Sequence, residues 1–597
     1  MSFIYEARIT QFSKELKKYQ LASRNFGVAR LLVFFLIIAG VYLYWGQSIP
    51  IALFIIGGGA IFLRLVTLNV KADSEIRFLK ELILINQVEE EAVKGEYQNQ
   101  EDGEEFIGEP HEYAHDFDLF GAQSFFSTFN RTVTVQGKKQ LAYWLTNPEL
   151  NKAVIIEKQN AIKELVSKLD WRQEFLATGN LNQINVNDQD RIKNWHSLKS
   201  QIGSGNLFKS LLITIPIITF LMLTATILGW VSWGQFGLYL LFPLGFVSSY
   251  LKRVNNEAGI IANLVLKFEV LSTLTQKIED QEFKSSLLNQ WKHDLFGDNE
   301  VKASIKIKEL RGLLAKFEQR NNMLIGILLN AFLLWDLQLI QKMNEWKNTN
   351  SLELEKWLNV IGDFDATVSL SNLVYNNGNL KYPEISDEPF FVSGTDIKHP
   401  MLDFNTAVGN DFDLSGKGNV NIITGANMAG KSTFLRTIGL NMVIGMMGVP
   451  VPAKTFKFSP MMVFSSMRTE DSLAQHTSFF YAELSRLAKI SDILKSGEQR
   501  FVILDEILKG TNSHDKARGS YAFVEKMINY NMIGLIATHD LSLCELADKH
   551  PNNIENKSFE VEFENDELVF DYKLRHKVCQ NMNASFLLKK MGIVDHY

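Results

Sequence analysis

A glycine-rich segment, GANMAGKS at residues 425–432, has the residue types and spacing that hold phosphate groups. It matches the pattern G-x-x-x-x-G-K-[ST], follows the apolar run 420–424 and precedes a helical pattern that begins near Phe434. Backbone N–H groups of such a loop and of the helix N-terminus surround anionic oxygens. The predicted nucleotide-binding residues are Gly425, Ala426, Asn427, Met428, Ala429, Gly430, Lys431, Ser432 and Thr433.

Three side chains in and after this segment predict ATP and Mg²⁺ as cofactors. Lys431 is expected to reach the β- and γ-phosphates, and Ser432 to offer its hydroxyl to Mg²⁺. Asp505 ends a buried-strand pattern at residues 501–504 and is the second expected magnesium ligand, directly or through water.

Two further residues predict hydrolysis as well as binding. Glu506 follows the magnesium ligand and can orient and activate the attacking water, since positioning and electrostatics supply most of the catalysis in phosphoryl transfer. His539 lies just past the apolar run 533–537 and can sense the γ-phosphate. Because Lys431 and both acids are also present, an inactive ATPase is disfavoured.

The residues around these motifs predict an α/β domain. Strand-like and helical patterns alternate from residue 420 to about 575, which favours a mostly parallel sheet, and residues 384–422 read as short β-rich pieces. Upstream of residue 384, the residue pattern is mainly helical. The predicted fold class is an α/β phosphate-loop ATPase domain with an all-α core and lever domain and four transmembrane helices.

Four apolar runs are predicted to form two transmembrane hairpins. Each is charge-poor and about long enough to span roughly 30 Å of hydrocarbon, although the last is short and contains Pro243. A set of fully buried helices is the alternative. The runs are 28–45, 49–68, 207–230 and 235–250.

The charges flanking these runs predict their orientation. The turns at 46–48 and 231–235 carry no charge, whereas Lys and Arg residues lie at the opposite ends of the runs. The positive-inside rule then places both termini and the ATPase domain in the cytoplasm. The expected location is the inner (cytoplasmic) membrane, which the chain crosses several times.

The segments after the second hairpin are predicted to be soluble helices. Residues 255–295 and 301–347 have the pattern of long amphipathic helices, with a paired stalk and simple bundle packing both open. The apolar run 323–340 is predicted to be a buried helix, because lipid would make its polar side chains costly, and membrane contact is the alternative. Those side chains are Asn330, Asp336 and Gln338.

Composition limits the partners. The 597 residues carry a formal charge of -6, which lowers the expectation of strong, sequence-independent DNA affinity. Cys544 and Cys579 are the two cysteines, so a disulfide framework is not expected.

The patterns divide the chain into seven predicted segments. Among them, residues 96–118 are acidic and read as a solvated linker. The segments are an N-terminal helix 1–27, the first hairpin 28–70, a helix and acidic linker 71–111, core helices 112–206, the second hairpin 207–250, lever and core helices 251–383, and the ATPase domain 384–597.

Several motifs together resemble the MutS family. TGANMAGKSTFLRTIG, SSMRTEDSLAQHTSFFYAELSRLAKI, LDEILKGTNSHDKARG and ATHD follow the order and spacing of that family's ATPase domain. DLFGAQSFFSTFNRTVTVQGKKQLAYWL resembles its core domain, and the resemblance covers roughly 112–180 and 355–595. Ala426 and Ala429 stand where many members have Pro and Gly, and neither change removes a backbone N–H donor.

The resemblance implies a dimer in which each ATPase domain completes the other's site. The residue acting in trans would be Ser478, in AQHTSFFYAEL. The family's mismatch-reading domain and its helical dimerisation extension are expected to be absent, and membrane hairpins would hold two copies in one plane instead.

Three functions follow as hypotheses. The first is a membrane-anchored MutS-like ATPase coupled to DNA binding, as in mismatch repair or DNA-structure sensing. The second is a membrane ATPase switch acting on a protein or lipid partner without DNA. An ABC-type transporter is disfavoured, because the region that would carry an LSGGQ-like signature reads AQHTSFF.

Overall fold

Two long helices form the N-terminal part of the computed structural model, α1 (Ser2–Leu43) and α2 (Ser48–Val93), packed together as a hairpin. The first continues unbroken from a polar run into an apolar one, and the second from an apolar run into a polar one, as predicted for residues 71–95. The structure describes residues 2–97, 100–108, 111–197, 205–296, 301–468, 479–509, 511–564 and 567–579.

Five shorter helices build the core that follows, and polar side chains fix where three of them begin. Ser124, Thr134 and Asn151 each accept a hydrogen bond from a backbone N–H of the first turn, which satisfies a donor that the helix leaves free. The helices are α3 (Phe125–Phe129), α4 (Val135–Thr146), α5 (Lys152–Val166), α6 (Leu169–Asn180) and α7 (Val186–Ser197).

A second apolar unit consists of α8 (Asn206–Ile227), α9 (Trp233–Tyr239) and α10 (Leu241–Ile261). By length and composition, α1, α2 and α8 could each cross a membrane, and two bent helix pairs raise the number to as many as five among the described residues. One of those pairs joins Trp233–Ile261 to the next helix. Insertion into a bilayer stays a prediction.

The predicted pair of long helices after this unit is wrong. Residues 255–295 and 301–347 contain several breaks, and the unbroken helix lies later in the chain. The helices are α11 (Val265–Asp280), α12 (Ser286–His293), α13 (Ala303–Glu318), α14 (Met323–Leu333) and α15 (Trp335–Asn376).

The prediction of one buried helix over residues 323–340 is also wrong. Leu334 has φ 49°, and this left-handed residue ends α14 and begins α15. Met323 and Leu324 are each 76% exposed, whereas Leu337 and Ile340 are buried. The apolar run therefore divides into an exposed half and a core half.

The C-terminal part contains two sheets. The larger has the order β10-β9-β4-β8-β7-β6, parallel throughout except for β10, so the mostly parallel sheet is confirmed. The smaller has the order β1-β5-β2-β3. The strands are β1 (Glu384–Ile385), β2 (Phe391–Ile397), β3 (Asn410–Ser415), β4 (Val420–Gly425), β5 (Thr455–Phe458), β6 (Met462–Ser466), β7 (Arg500–Asp505), β8 (Ile533–Ala537), β9 (Ile554–Glu564) and β10 (Glu567–Arg575).

Helices cover both faces of the larger sheet. One apolar cluster joins Ile423 of β4 to α16 (Lys431–Met446), and another joins Ile422 to α17 (Phe479–Lys495) and α18 (Ser513–Asn529). The short α19 (Leu546–Lys549) precedes β9. Alternating faces of one strand are thus buried on opposite sides.

The end of the predicted acidic linker is buried, not solvated. Tyr113 and Asp116 have no exposed surface. Asp116 accepts hydrogen bonds from the Ser465 hydroxyl and from the backbone N–H groups of Met467 and Arg468. Because a buried carboxylate needs such partners, this segment is fixed to the end of β6.

A second buried carboxylate joins the core helices to α15. Asp365 accepts hydrogen bonds from the backbone N–H groups of Val133 and Thr134, at 3.1 and 2.8 Å, and from the Thr134 hydroxyl at 2.6 Å. Asp365 is fully buried, so water cannot replace it.

We expect Asp365→Ala to lower the free energy of unfolding by about 2–4 kcal/mol, because it leaves buried N–H donors unpaired. Glu353→Ala on the same helix removes an ion pair with Lys356, whose side chain is 64% exposed, and should change it by less than about 0.5 kcal/mol. Denaturant unfolding of the detergent-solubilised chain measures both. Equal losses would contradict the role of Asp365.

Candidate functional site

The site lies where three neighbouring parallel strands end. In the sheet, Asp505 at the end of β7 pairs with Ala537 at the end of β8, and Ala537 pairs with Ile423 of β4. The segments that follow these strands carry the predicted chemistry. They therefore meet at one edge of the sheet, which is the edge where ligands bind in open α/β sheets.

The loop between β4 and α16 has the backbone shape that its glycines predict. Gly425 has φ 153°, and a Cβ there would lie 2.7 Å from the carbonyl oxygen of Phe559. Gly430 has φ 105° and precedes the first residue of α16. Only glycine tolerates such positions without strain. Ala426 and Ala429 are buried, so their methyl groups face the core.

Lys431 is buried and turns back over the loop. Its Nζ donates to the carbonyl oxygens of Gly425 at 2.8 Å and Ala426 at 2.9 Å, and lies 3.3 Å from Nε2 of His539. Burial lowers the pKa of the Lys431 amine, while the nearby Asp505 and Glu506 carboxylates oppose that change. The sheet therefore places an amine at the centre of the loop.

Ser432 and Asp505 are brought together as predicted. The Ser432 hydroxyl donates to Oδ2 of Asp505 at 2.6 Å, although 73 residues separate them. Among the described residues, no group of three or more His, Cys, Asp or Glu could hold a metal ion. The hydroxyl and the carboxylate fit Mg²⁺, which takes few protein ligands and keeps water and substrate phosphates for the rest.

Glu506 faces His539 through a strained turn. Its φ is 54°, in the left-handed region that costs a non-glycine residue free energy and often occurs at functional sites. Oε1 lies 3.0 Å from Nε2 of His539, and Lys509 lies 3.6 Å from the other oxygen. These neighbours, His539 first, lower the pKa of Glu506 to about 2. The carboxylate is therefore ionised at neutral pH.

Two functional candidates escaped the sequence analysis. Buried Glu483 of α17 accepts hydrogen bonds from the backbone N–H groups of Leu508 and Lys509, and so holds the turn after Glu506. Tyr572 of β10 places its ring beside the loop, since a Cβ on Gly430 would lie 3.2 Å from its Cδ1. No sequence motif marks either residue, because each reaches the site through contacts between segments that are far apart in the chain.

Tyr572 owes its position to an irregularity in β10. The register with β9 shifts between Phe570 and Leu574, and Tyr572 has φ 53°. Asn410 fixes this bulge by donating to the carbonyl of Tyr572 at 2.9 Å and accepting from the N–H of Leu574 at 2.8 Å. Bulges commonly re-aim a side chain in this way.

The resemblance to the MutS family suggests that a segment at about 404–412 contacts the adenine base, and the sequence does not choose between Phe404, Val408 and Phe412. Phe412 is not accessible to a base, because it is 2% exposed and packs edge-on against Phe434. Phe404 is half-buried and Val408 is exposed, so both remain accessible. Ser478, the residue predicted to act in trans, lies outside the described residues.

The fold and this site define an α/β domain with a phosphate-type loop and acids at adjacent strand ends, joined to a helical core. The chain matches the family profile of MutS domain III over residues 111–371 and that of MutS domain V over residues 421–590. The chain belongs to the MutS family.

Relatives resemble part of the chain. A DNA mismatch repair protein MutS from Thermotoga sp. (strain RQ2) is 32% identical over 39% of this chain. MutS protein homolog 4 of Mus musculus is 31% identical over 34%, and the MutS of Ehrlichia chaffeensis 33% over 36%. The matches span 29%, 21% and 26% of those proteins' own lengths.

Proposed function

We propose that this chain is a membrane-anchored ATP hydrolase of the MutS family whose site is completed by a second copy. One observation carries the proposal: Lys431, Ser432, Asp505, Glu506 and His539 converge around the loop at the sheet edge. An amine, a hydroxyl, two carboxylates and an imidazole within contact distance are the groups that phosphoryl transfer needs.

Each site residue is assigned a role that follows from its position. Lys431 exchanges its contacts with the loop carbonyls for the β- and γ-phosphate oxygens. Ser432 and Asp505 would hold Mg²⁺, which when bound neutralises charge developing on the phosphates. Ionised Glu506 accepts a proton from the attacking water, and His539, whose Nε2 lies beside both Glu506 and Lys431, is proposed to sense the γ-phosphate. Ser478 of a second copy is proposed to complete the site.

Exposed apolar surface supports membrane anchoring. Within the most apolar window of α1, α2 and α8, only 6%, 0% and 28% of residues are buried. Helices of a soluble core would bury most of that surface. With the charge-free turns outside, the ATPase domain and both termini lie on the cytoplasmic side of the inner membrane.

Contacts between the first hairpin and α15 support a membrane switch as the second candidate. Tyr5, 1% exposed, donates to Asn376 at the end of α15 at 2.6 Å. Asn376 in turn donates to Glu89 of α2, which pairs with Arg131 of the core. The chain enters the smaller sheet soon after α15 ends, so motion of the ATPase domain would reach both membrane helices.

Glu506→Gln tests hydrolysis. We expect turnover to fall by about 100-fold or more while ATP still binds, because the amide keeps the shape but cannot accept the proton. Glu498→Gln, whose parent side chain is 54% exposed and pairs with Arg500, is the matched control. Phosphate release and nucleotide binding are measured on the full chain. Unchanged hydrolysis would refute the role of Glu506.

Tyr572→Ala tests the base contact. The ring beside Gly430 is proposed to stack on adenine, so its loss should weaken ATP binding by about 1–2 kcal/mol, roughly 5- to 30-fold in Kd. Tyr572→Phe keeps the ring and should bind normally. Calorimetric titration of the Glu506→Gln background gives both constants. Equal affinity of the Ala and Phe variants would exclude stacking.

A DNA-binding assay separates the two candidate functions. If the chain shares the role named for its relatives, duplex, mismatched or branched DNA should bind, more weakly as salt rises. A membrane switch without DNA predicts no salt-dependent binding to any of them, with or without ATP. For a membrane switch, the yield of cross-links between the membrane hairpins should change when nucleotide is added. The same yield with and without nucleotide would contradict the switch.

A further inference from the structure

The helix α14 exposes apolar side chains along its first half, while the buried Gly326 packs against the backbone of Arg320. Its sequence, MLIGILLNAFL, contains no charged residue. Met323 and Leu324 are each 76% exposed, and Leu328 is 60% exposed. Water is a poor solvent for a continuous apolar patch, so such a surface indicates an interaction site.

The polar residues that argued against lipid all face protein. Asn330 is buried and its Oδ1 accepts from the backbone N–H of Asp336 at 3.0 Å. Asp336 is 2% exposed and pairs with Arg320 at 3.1 Å. Gln338 donates to the carbonyl of Leu212 in α8 at 3.1 Å. The cost of placing these groups in hydrocarbon therefore does not apply to the exposed face of α14.

The two ends of α14 lie at different heights along α8–α10. Before its start, Arg320 donates to Asn255, which lies beyond the apolar run that ends at residue 250. At its end, the Phe332 ring lies 6.1 Å from those of Phe220 and Phe236, both inside the apolar runs. The helix thus rises from the base of the hairpin to its middle.

The chain then returns to the base. At Leu334 the axis bends by 77° between α14 and α15. Gln338 reaches Leu212, and Glu345 pairs at 2.7 Å with Lys209, near the first residues of α8. Eleven residues of helix span only about 16 Å, roughly half the hydrocarbon thickness, so α14 cannot cross a bilayer alone.

We propose that α14 is a re-entrant helix that enters the cytoplasmic leaflet beside α8–α10 and contacts lipid acyl chains. This inference rests on the proposed membrane anchoring. Acyl chains are the occupant because the exposed face of α14 continues an apolar surface on the neighbouring helix. Ile217, Phe220 and Leu221 of α8 are 52%, 48% and 63% exposed.

Site-directed spin labelling of the full chain tests the proposal. Cys544 and Cys579 are both buried and are replaced by alanine. Leu324→Cys and Leu328→Cys then carry single nitroxides, and their exposed parent side chains make misfolding a small risk. In vesicles of phosphatidylethanolamine and phosphatidylglycerol, collisions with oxygen report hydrocarbon and collisions with a nickel chelate report water.

Two control positions make the outcomes distinct. We expect oxygen to dominate at Leu324, Leu328 and the α8 control Leu221→Cys, and the ratio to reverse at Leu352→Cys, a leucine of α15 that is 77% exposed. Nickel dominance at 324 and 328 with oxygen at 221 would overturn the re-entrant helix and leave anchoring intact. Protection from both probes at 324 and 328 would indicate a second copy there and also overturn it. Nickel dominance at 221 would overturn anchoring and this inference together.

Discussion

The 42-residue helix α15 is the constraint on which the other parts of the protein depend. At about 1.5 Å per residue it extends roughly 60 Å, and each region attaches to a different point along it. Gln338 and Glu345 meet α8, Asp365 holds the start of α4, and Asn376 holds α1 and α2. These attachments are side-chain hydrogen bonds and ion pairs, several of them buried. One continuous helix therefore joins the apolar helices, the core helices and the N-terminal hairpin.

The site depends on a second constraint, the alignment of parallel strands. Hydrogen bonding between β4, β8 and β7 sets Ile423, Ala537 and Asp505 side by side. Everything that follows these residues must emerge at the same edge. The loop, the acidic pair and His539 therefore meet without any local sequence signal for contact. Opposite charges then complete the arrangement, with the Lys431 amine and the Glu506 carboxylate both close to Nε2 of His539.

Predictions based on local pattern succeeded where local chemistry decides the outcome. The loop glycines, the buried strand runs and the helical hairpin at the N-terminus lie where residue spacing indicates them. Predictions of burial failed where contacts between distant segments decide which residues are buried. Phe412 belongs to the core because Phe434 packs on it, and Asp116 is buried in the segment predicted as a solvated linker because β6 supplies hydrogen bonds for its carboxylate. Leu334 has a left-handed conformation and divides one apolar run into two helices. The sequence did not indicate this break, because the residue at this position is not a glycine.

The sequence by itself determined the chemistry that the chain can offer: the order of the phosphate loop, the acidic pair and the histidine, and the charge-poor runs. Motif order and hydropathy are properties of the linear chain, so no structure was needed to find them. The tertiary structure decided which of these residues touch, that Tyr572 and Glu483 join the site, and that α14 turns its apolar face outward. Those outcomes depend on strand register, a bulge and buried hydrogen bonds between residues far apart in sequence. Such pairings are selected only when the whole chain packs.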